Sequence, residues 1–303
     1  MTEPSPASKH AACGSAGTAV IIPHFNQLEH TRACCKSLDA QQGEACRILV
    51  IDNASTAHAP AALTEACPRG EVLRMEENLG FAGGVNAGIR EALKDPGIRY
   101  FWVLNNDTLC PPDTLKQLRA TLEMSPCTGL AGCRMIEGKG TPGEKMVSAG
   151  KRLLRPWLVP INPKPGQKPD YLSGACLLIR RELLEDIGLF DESYFFFFED
   201  ADFSLRAKQA GWTLAVCDEA LIEHKGSATI RSLKEQQAMW YRSGHIRLLG
   251  KFTKNPFILS VPPFLFRAVS DLVLLNPAAF RGNIRGLIRA CPSSDLINKD
   301  RVI

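Results

Sequence analysis

The segment Thr18-Ala-Val-Ile-Ile-Pro-His-Phe-Asn26 sets the expectation for the fold. Its apolar first half has the length of a buried strand, and the sequence after it predicts a helix over residues 28–40. Similar apolar runs occupy residues 47–52, 71–74 and 100–105, with helical stretches over 81–93 and 112–124. Strands that alternate with helices of this length predict an α/β fold, in which helices cover both faces of a mostly parallel sheet.

The pattern changes in the second half of the chain. Five prolines within residues 155–170 predict an extended, mobile loop. The segments expected beyond it are a strand over 171–180, a short helix ending at Ile187, a helix ending at Ala210 and a strand over 212–216. We therefore expect a disordered tail over residues 1–17, an α/β domain over 18–230, and a basic, mainly helical extension over 231–303.

The composition is that of a soluble globular protein. The chain has 303 residues, of which 45% are hydrophobic and 22% charged, so it can bury an ample core. Its eleven cysteines include no Cys-x-x-Cys pair. With no signal peptide at the start, this usage predicts free thiols in a reducing cytoplasm, and neither a disulfide framework nor a zinc site.

Charge is distributed unevenly along the chain. The net charge is +4, yet from Lys225 onward 13 Lys and Arg residues face only 4 Asp and Glu residues. A basic tail favours an anionic partner, and aromatic residues are not interleaved with its charges as nucleic-acid stacking would require. The apolar run over residues 256–266 is short and broken by prolines, so it fits a membrane-surface segment or an ordinary packing helix.

Polar residues follow three predicted strands at the points where those strands end. In open α/β sheets, ligands bind at the carboxyl ends of strands, so these clusters predict one binding crevice. Asp52 could accept hydrogen bonds from a ribose or base, or it could cap the next turn. Asp107 could join a divalent cation to a diphosphate. The candidate ligand residues in these clusters are Pro23, Asn26, Asp52, Asn53, Asn105, Asn106 and Asp107.

A glycine-rich segment over residues 78–88 precedes and enters a predicted helix. Glycines let a backbone approach a phosphate closely, and a helix N-terminus favours anions. The candidate ligand residues here are Asn78, Gly80, Phe81, Gly84 and Asn86. The spacing is not that of the dinucleotide-binding fingerprint, which disfavours a nicotinamide cofactor.

Residues 195–206 read Phe-Phe-Phe-Phe-Glu-Asp-Ala-Asp-Phe-Ser-Leu-Arg. Carboxylates beside four aromatic rings are poorly solvated, which raises their proton affinity toward that of a general base. This environment makes Asp200 and Glu199 catalytic candidates. The alternative is that Asp200 caps a helix beginning at Ala201. His224, after the last predicted strand, is either a structural histidine or a further metal ligand that would favour Mn²⁺ over Mg²⁺.

Together these segments resemble the family 2 inverting glycosyltransferases, and among them the rhamnosyltransferase-like branch. The resemblance covers about residues 18–229 and lies in five ordered motifs at residues 20–26, 50–55, 77–86, 104–107 and 198–206. It implies a GT-A fold and a nucleoside-diphosphate sugar donor, with Asp52 on the nucleoside, Asp107 on the metal and diphosphate, and Asp200 as base. The family's DxD motif is Asn105-Asn106-Asp107 here, so its first acid is missing.

The resemblance also implies His224 as a metal ligand, dTDP-L-rhamnose as donor and a role in cell-surface polysaccharide synthesis. The expected acceptor is a saccharide or lipid-linked saccharide, with the enzyme in the cytoplasm or peripheral on the inner face of the membrane. A segment around Trp212 resembles the family's region behind the acceptor, although a core tryptophan is the simpler account. Two rivals remain: a metal-dependent nucleotidyltransferase, and a non-enzymatic membrane-surface binding protein.

Overall fold

The computed structural model describes residues 17–41, 46–226 and 233–290. The first half forms four parallel strands in the order β3-β2-β1-β4, with helices between them. Its elements are β1 Gly17–His24, α1 Leu28–Asp39, β2 Cys46–Asp52, α2 Pro60–Ala66, β3 Gly70–Arg74, α3 Gly80–Leu93 and β4 Ile98–Leu104. These bounds confirm the predicted alternation, apart from the short helix α2, which the sequence did not predict.

The sheet continues beyond β4 through the second half of the chain. Its elements are β5 Thr108–Leu109, α4 Thr114–Glu123, β6 Thr128–Glu137, β7 Lys145–Val147, β8 Gly150–Leu154, β9 Val159–Ile161, β10 Tyr171–Leu172, β11 Cys176–Arg180, α5 Arg181–Ile187, α6 Glu199–Gln209 and β12 Thr213–His224. Beside β4 lie β11, β6, β12 and β5 in that order. Strand β11 is antiparallel to both neighbours, whereas β12 pairs parallel with β6, so the sheet is mostly parallel.

Two expectations for this half were wrong. The single strand expected over residues 171–180 is two strands, because Ser173 and Gly174 interrupt it. Strand β10 pairs with β8 in a small separate sheet, while β11 pairs with β4. The proline-rich stretch, expected to be a loop, contains β9, which pairs with β8. Strand β6 was also missed, since its Gly and Ala residues gave a weak strand signal.

The first strand shows why this sequence forms a covered sheet. Ala19 and Ile21 point into the core under α3, and Val20 and Ile22 into the core on the opposite face. All four side chains are fully buried. A strand covered on both faces needs apolar residues at every position rather than at alternate ones, and this segment has them.

Three helices follow the sheet: α7 Lys234–Phe252, α8 Pro256–Val273 and α9 Pro277–Ala290. Helices α7 and α9 approach closely because Gly282 and Gly286 face α7; a Cβ on Gly282 would lie 2.1 Å from the backbone oxygen of Glu235. Helix α8 continues through Pro262 and Pro263. The expected boundary at residues 230/231 and the expected disordered tail fall on positions outside the described residues, except for residue 17, which begins β1.

The expectation of free thiols throughout is corrected at one pair. Cys35 on α1 and Cys67 after α2 form a disulfide, with their Cα atoms 5.7 Å apart. These residues are 32 positions apart in sequence, and they meet because α1 and α2 pack on the same face of the sheet. Six further cysteines of the described ranges keep free thiols: Cys34, Cys110, Cys127, Cys133, Cys176 and Cys217.

Candidate active site

Two adjoining pockets open where the parallel strands end. The first is lined by Pro23, Asn53, Asn78, Gly80, Asn106 and Asp107, among others. The second is lined by Ser173, Gly174, Glu199, Asp200, His224 and Tyr241, among others. Phe81, Asn105 and Phe196 line both pockets, so the two form one continuous cleft. Asp107 thus lines the first pocket and Asp200 the second, and the two pockets meet at a junction formed by these shared residues.

Asp107 and His224 meet at this junction through the pairing of two short segments. Strand β5 pairs antiparallel with the end of β12, which sets His224 opposite Thr108. The Nε2 atom of His224 lies 3.1 Å from Oδ1 of Asp107. That buried oxygen nevertheless has no partner with hydrogen-bond geometry, and Asn105 lies 3.4 Å from the same Nε2 atom. An acceptor oxygen without a donor, beside an imidazole nitrogen, is a suitable pair of ligands for a divalent cation.

The charge on His224 depends on two carboxylates. Burial disfavours the imidazolium ion, but the nearby carboxylates of Asp107 and Glu137 outweigh it and raise the pKa of His224. The Nδ1 atom lies 3.5 Å from Oε1 of Glu137. Across the described ranges, no group of three or more His, Cys, Asp or Glu side chains is arranged to hold a metal. A cation here would therefore take further ligands from water or substrate oxygens.

Asp200 lies in the first turn of α6, which begins at Glu199, so it is not the residue that caps this helix. Its Oδ2 accepts a hydrogen bond of 3.1 Å from the amide of Gly174, and its Oδ1 one of 2.8 Å from the amide of Ala201. Burial raises the pKa of Asp200 to about 6, although both amide hydrogen bonds oppose this. The group is therefore poised to take up a proton near neutral pH.

Glu199 is the more deeply buried of the two neighbouring carboxyls. Burial and the adjacent charge of Asp200 raise the pKa of Glu199 well above its usual range. Its Oε2 atom has no hydrogen-bond partner among the described residues. Two adjacent buried charges of the same sign repel one another, so ionisation of Asp200 favours the protonated form of Glu199.

The aromatic run reaches Asp200 through an unusual backbone corner. Phe197 and Phe198 have φ angles of +69° and +70°, a left-handed conformation that costs energy in bulky residues. Helix α7 packs against this corner: the rings of Phe198 and Tyr241 are 4.9 Å apart, and those of Phe195 and Trp240 are also 4.9 Å apart. Helix α7, the first helix of the C-terminal extension, thus packs against the corner that positions the carboxyl groups of Glu199 and Asp200.

A second connection between α7 and α6 is ionic. Asp202 is fully buried and binds Lys251 of α7 at 2.7 Å and Arg206 of α6 at 2.8 Å. Lys251 also binds Asp191 at 2.6 Å, ahead of the aromatic run. A buried carboxylate with two cationic partners ties the elements that supply them. Helix α7 is therefore bonded to the chain on both sides of the aromatic run at residues 195–198, before it at Asp191 and after it at Asp202.

Gly244 allows α7 to approach this corner, and we expect Gly244→Ala to disturb it. A Cβ there would lie 2.9 Å from the carbonyl oxygen of Phe197 and 3.2 Å from Cδ2 of Phe198. Overpacking of this kind costs about 1–3 kcal/mol, so we expect the melting temperature to fall by several degrees.

The matched control for that prediction is Gly250→Ala on the same helix, where a Cβ meets nothing within 4 Å. Alanine is the better helix former by about 1 kcal/mol, so this variant should melt no lower than the unmodified chain. Equal melting temperatures for the two variants would contradict the close packing at Gly244.

Asp52 is placed beneath the cleft rather than in its lining. Its side chain is 1% exposed, accepts a hydrogen bond from the Ser55 amide at 2.9 Å and pairs with Arg74. Burial opposes the charge of this carboxylate, but the Ser55 hydrogen bonds and Arg74 outweigh it and lower the pKa of Asp52. These contacts fit the alternative role of holding this turn, and the contact with a nucleoside stays a prediction.

Three other candidate ligands also have structural partners. Asn26 accepts hydrogen bonds from the amides of Thr56 and Ala57. Asn86 exchanges hydrogen bonds with the backbone of Phe190. A Cβ on Gly84 would lie 2.7 Å from the Asn53 side chain, so this glycine serves packing. None of the three lines the cleft.

Gly80 does belong to the cleft, for a backbone reason. Its φ of +72° is left-handed, and a Cβ there would lie 2.3 Å from the carbonyl oxygen of Phe195. The next amide, of Phe81, donates a hydrogen bond of 2.8 Å to that same oxygen. This contact joins the start of α3 to the aromatic run across the cleft.

Several cleft residues were not predicted from sequence. Trp240, Tyr241 and Leu233 belong to the extension, and no local motif marks them. The turn at Ser173 and Gly174 could have been found, because a glycine inside a strand pattern often marks a close approach. Trp212 bonds Asp186 through its indole nitrogen at 2.8 Å and lies before β12, at the end opposite His224, so the core account of it is correct.

Comparison with known proteins points to one family. The protein-family model "Glycosyl transferase family 2" matches residues 19–188. A second family model, "Glycosyl transferase family group 2", matches residues 165–280. An N-acetylglucosaminyl-diphospho-decaprenol L-rhamnosyltransferase of Mycobacterium tuberculosis is 28% identical over 257 residues, covering 77% of this chain and 84% of that protein.

Solved structures show the same architecture. A mannosyltransferase from Pyrobaculum calidifontis, solved with GDP-mannose and Mn²⁺, superposes with a TM-score of 0.57 at 18% identity, covering 92% of this chain and 76% of that one. Residues 1–349 of S. aureus TarS, solved with UDP-GlcNAc, give a TM-score of 0.55 at 17% identity, covering 76% and 66%. These likenesses confirm the expected GT-A fold.

Proposed function

Since the chain belongs to glycosyl transferase family 2, we propose that it transfers L-rhamnose from dTDP-L-rhamnose to a hydroxyl of a lipid-linked saccharide. The observation that carries this proposal is the shared junction of the two pockets. A donor in the first pocket would present its anomeric carbon between Asp107 and Asp200. One carboxylate then faces the leaving group and the other faces the acceptor.

Asp107 and His224 would hold a divalent cation, Mg²⁺ or Mn²⁺, against the diphosphate. The free Oδ1 of Asp107 and the adjacent imidazole nitrogen support this assignment. When bound, the cation would offset negative charge on the departing diphosphate. Asn105 and Asn106 line the same side of the cleft and offer amide donors to phosphate oxygens.

Asp200 would act as the general base. Its carboxylate takes the proton from the acceptor hydroxyl as that oxygen forms a bond to the anomeric carbon. The bond between that carbon and the diphosphate oxygen breaks, and the nucleoside diphosphate leaves. One displacement of this kind inverts the anomeric configuration. The amides of Gly174 and Ala201 fix the carboxylate in place while it accepts the proton.

The choice of a deoxy sugar rests on the walls of the junction. Phe81 and Phe196 line both pockets, and Trp240 covers the first pocket beside Phe196. A sugar with a methyl group at C6 can pack this carbon on aromatic rings, whereas a C6 hydroxyl would lose its hydrogen bonds with water there. The relative whose name includes L-rhamnosyltransferase supports the same choice.

We expect dTDP-L-rhamnose to raise the melting temperature more than UDP-GlcNAc or GDP-mannose when Mn²⁺ is present. A ligand that binds only the folded state stabilises it in proportion to the logarithm of its concentration over Kd. A larger shift with another sugar nucleotide would overturn the donor assignment. Product analysis with an acceptor present separates the rivals, because glycosyl transfer from dTDP-L-rhamnose releases dTDP, whereas transfer of the nucleotidyl group from the same donor releases rhamnose 1-phosphate.

A further inference from the structure

Helix α8 carries a continuous exposed apolar surface. Its exposed side chains recur at helical spacing of three and four residues, which places them along one side of the helix. This surface, here the apolar face of α8, consists of Phe257, Ile258, Val261, Leu265, Phe266, Val269, Leu272 and Val273. Leu274 and Leu275 extend it beyond the helix end and are 72% and 88% exposed. An apolar surface of this extent marks a contact with a membrane or another protein.

The other side of α8 is tied to the protein. Asp271 is buried and accepts a hydrogen bond of 2.8 Å from the Asn283 side chain on α9. Arg242 of α7 lies over the ring of Phe264, and its Nη2 lies 3.4 Å from the Pro263 carbonyl oxygen. The two charged residues of the helix, Arg267 and Asp271, are 4.0 Å apart. The apolar face itself therefore carries no charged residue, although Arg267 is 57% exposed on another side of the helix.

These attachments decide between crossing a membrane and lying on one. By length and composition, α8 is the one helix within the described ranges that could cross a membrane. Its 18 residues span about 27 Å, somewhat less than the hydrocarbon core of about 30 Å. A spanning helix would also take Asp271 and the polar contacts with α7 and α9 into lipid. An orientation parallel to the surface buries only the apolar face.

The charge of residues 233–290 indicates which partner covers the apolar face of α8. Residues 233–290 contain nine Lys and Arg but only two Asp and Glu residues. Arg281 and Arg285 share the single carboxylate of Glu235, which leaves positive charge uncompensated. A second copy of the chain would bring two positive surfaces together, whereas anionic lipid headgroups would neutralise one.

We infer that the apolar face of α8, with Leu274 and Leu275, inserts into the interfacial layer of an anionic bilayer. Helix α7 lies between α8 and the cleft: Trp240 and Gly244 contact the aromatic run, while Arg242 contacts Pro263 and Phe264 of α8. A helix is about 10 Å wide, so the membrane surface would lie about one helix from the cleft wall. This partner is additional to the proposed function and does not depend on which sugar is transferred.

The test is flotation of the purified chain with vesicles of phosphatidylcholine alone or mixed with phosphatidylglycerol. We expect flotation with the mixed vesicles, and weaker flotation at high salt because ions screen the headgroup charge. The triple variant Ile258→Ser/Phe266→Ser/Leu275→Ser should lower the floated fraction at least tenfold, since it removes apolar side chains that insert. The control is Met124→Ser/Met146→Ser/Ile161→Ser, which changes exposed residues elsewhere and should float as before.

Three results would overturn the inference. They are an unmodified chain that stays with the unbound fraction, a triple variant that floats fully, and a dimer in light scattering that the triple variant abolishes while flotation is absent. All three substituted side chains are exposed, so we expect the melting temperature to be unchanged. If the triple variant melts early, the single change Phe266→Asp gives the same test, because this side chain is 80% exposed.

Discussion

Replacing Asp200 by Asn should lower kcat by about 10²–10⁴-fold while leaving donor binding nearly unchanged. Asparagine keeps the shape of the side chain but cannot take a proton from the acceptor hydroxyl. The carboxylate lines the second pocket and not the first, which would hold the nucleotide. Initial rates and calorimetric titration with dTDP-L-rhamnose, on the same preparations, measure the two effects separately.

Glu199→Gln is the matched control for that variant. Because the pKa of Glu199 is raised well above its usual range by burial and by Asp200, a neutral amide there resembles the group already present. We expect a much smaller loss of kcat than for Asp200→Asn. Equal losses in the two variants, or a parallel loss of donor binding in Asp200→Asn, would indicate a structural role for Asp200.

The pH dependence of the same reaction identifies the base. Asp200 must be ionised to act, and burial raises its pKa to about 6, so kcat/KM should fall as the pH drops through about 6. The residual activity of Asp200→Asn should lack this acidic limb. Stability shows the opposite trend: between the ordinary aspartate pKa of 3.8 and the raised pKa of about 6, the folded state holds the extra proton. This group therefore destabilises the fold increasingly as the pH rises through that window.

Replacing Asp107 by Ala should act mainly on binding, with Kd for the donor rising by at least tenfold when Mn²⁺ is present. This variant removes the buried oxygen that has no hydrogen-bond donor and lies 3.1 Å from the His224 ring. Calorimetric titration of the nucleotide sugar, with Mn²⁺ and with a chelator, measures the effect. In the chelator, the variant and the unmodified chain should bind the donor with more similar affinity.

Two further variants sharpen this result. Asp113→Ala removes a carboxylate that lies outside the cleft, ahead of α4, and should leave the Mn²⁺ effect unchanged. His224→Ala should reduce the Mn²⁺ effect as well, if the imidazole is a ligand. Tight, Mn²⁺-dependent donor binding by Asp107→Ala would contradict the assignment of the cation to this pair.

The sequence alone was sufficient for the parallel half of the sheet and for placing Asp107 and Asp200 at the cleft. Apolar runs at residues 18–23 and 47–52 are long enough to be buried and are followed by helical patterns, so period and length identify them. Asp107 follows β4 directly, and strand ends converge by the geometry of the sheet. Asp200 was a candidate base because the four preceding Phe residues predict that its carboxylate is poorly solvated. Burial raises the pKa of Asp200 to about 6.

The tertiary structure decided what depends on contacts between distant residues. The sequence placed Asp52 at a strand end but could not show that Arg74, 22 residues later, would pair with it. It could not show Cys35 meeting Cys67, or Trp240 and Gly244 of α7 packing on the aromatic corner. The hydrophobic periodicity of a sequence shows which side of a helix or strand is apolar. Which other element packs on that side depends on how the whole chain folds. The sequence therefore determined the parallel half of the sheet and the strand ends that carry the cleft, whereas packing between distant segments brought α7 to that cleft.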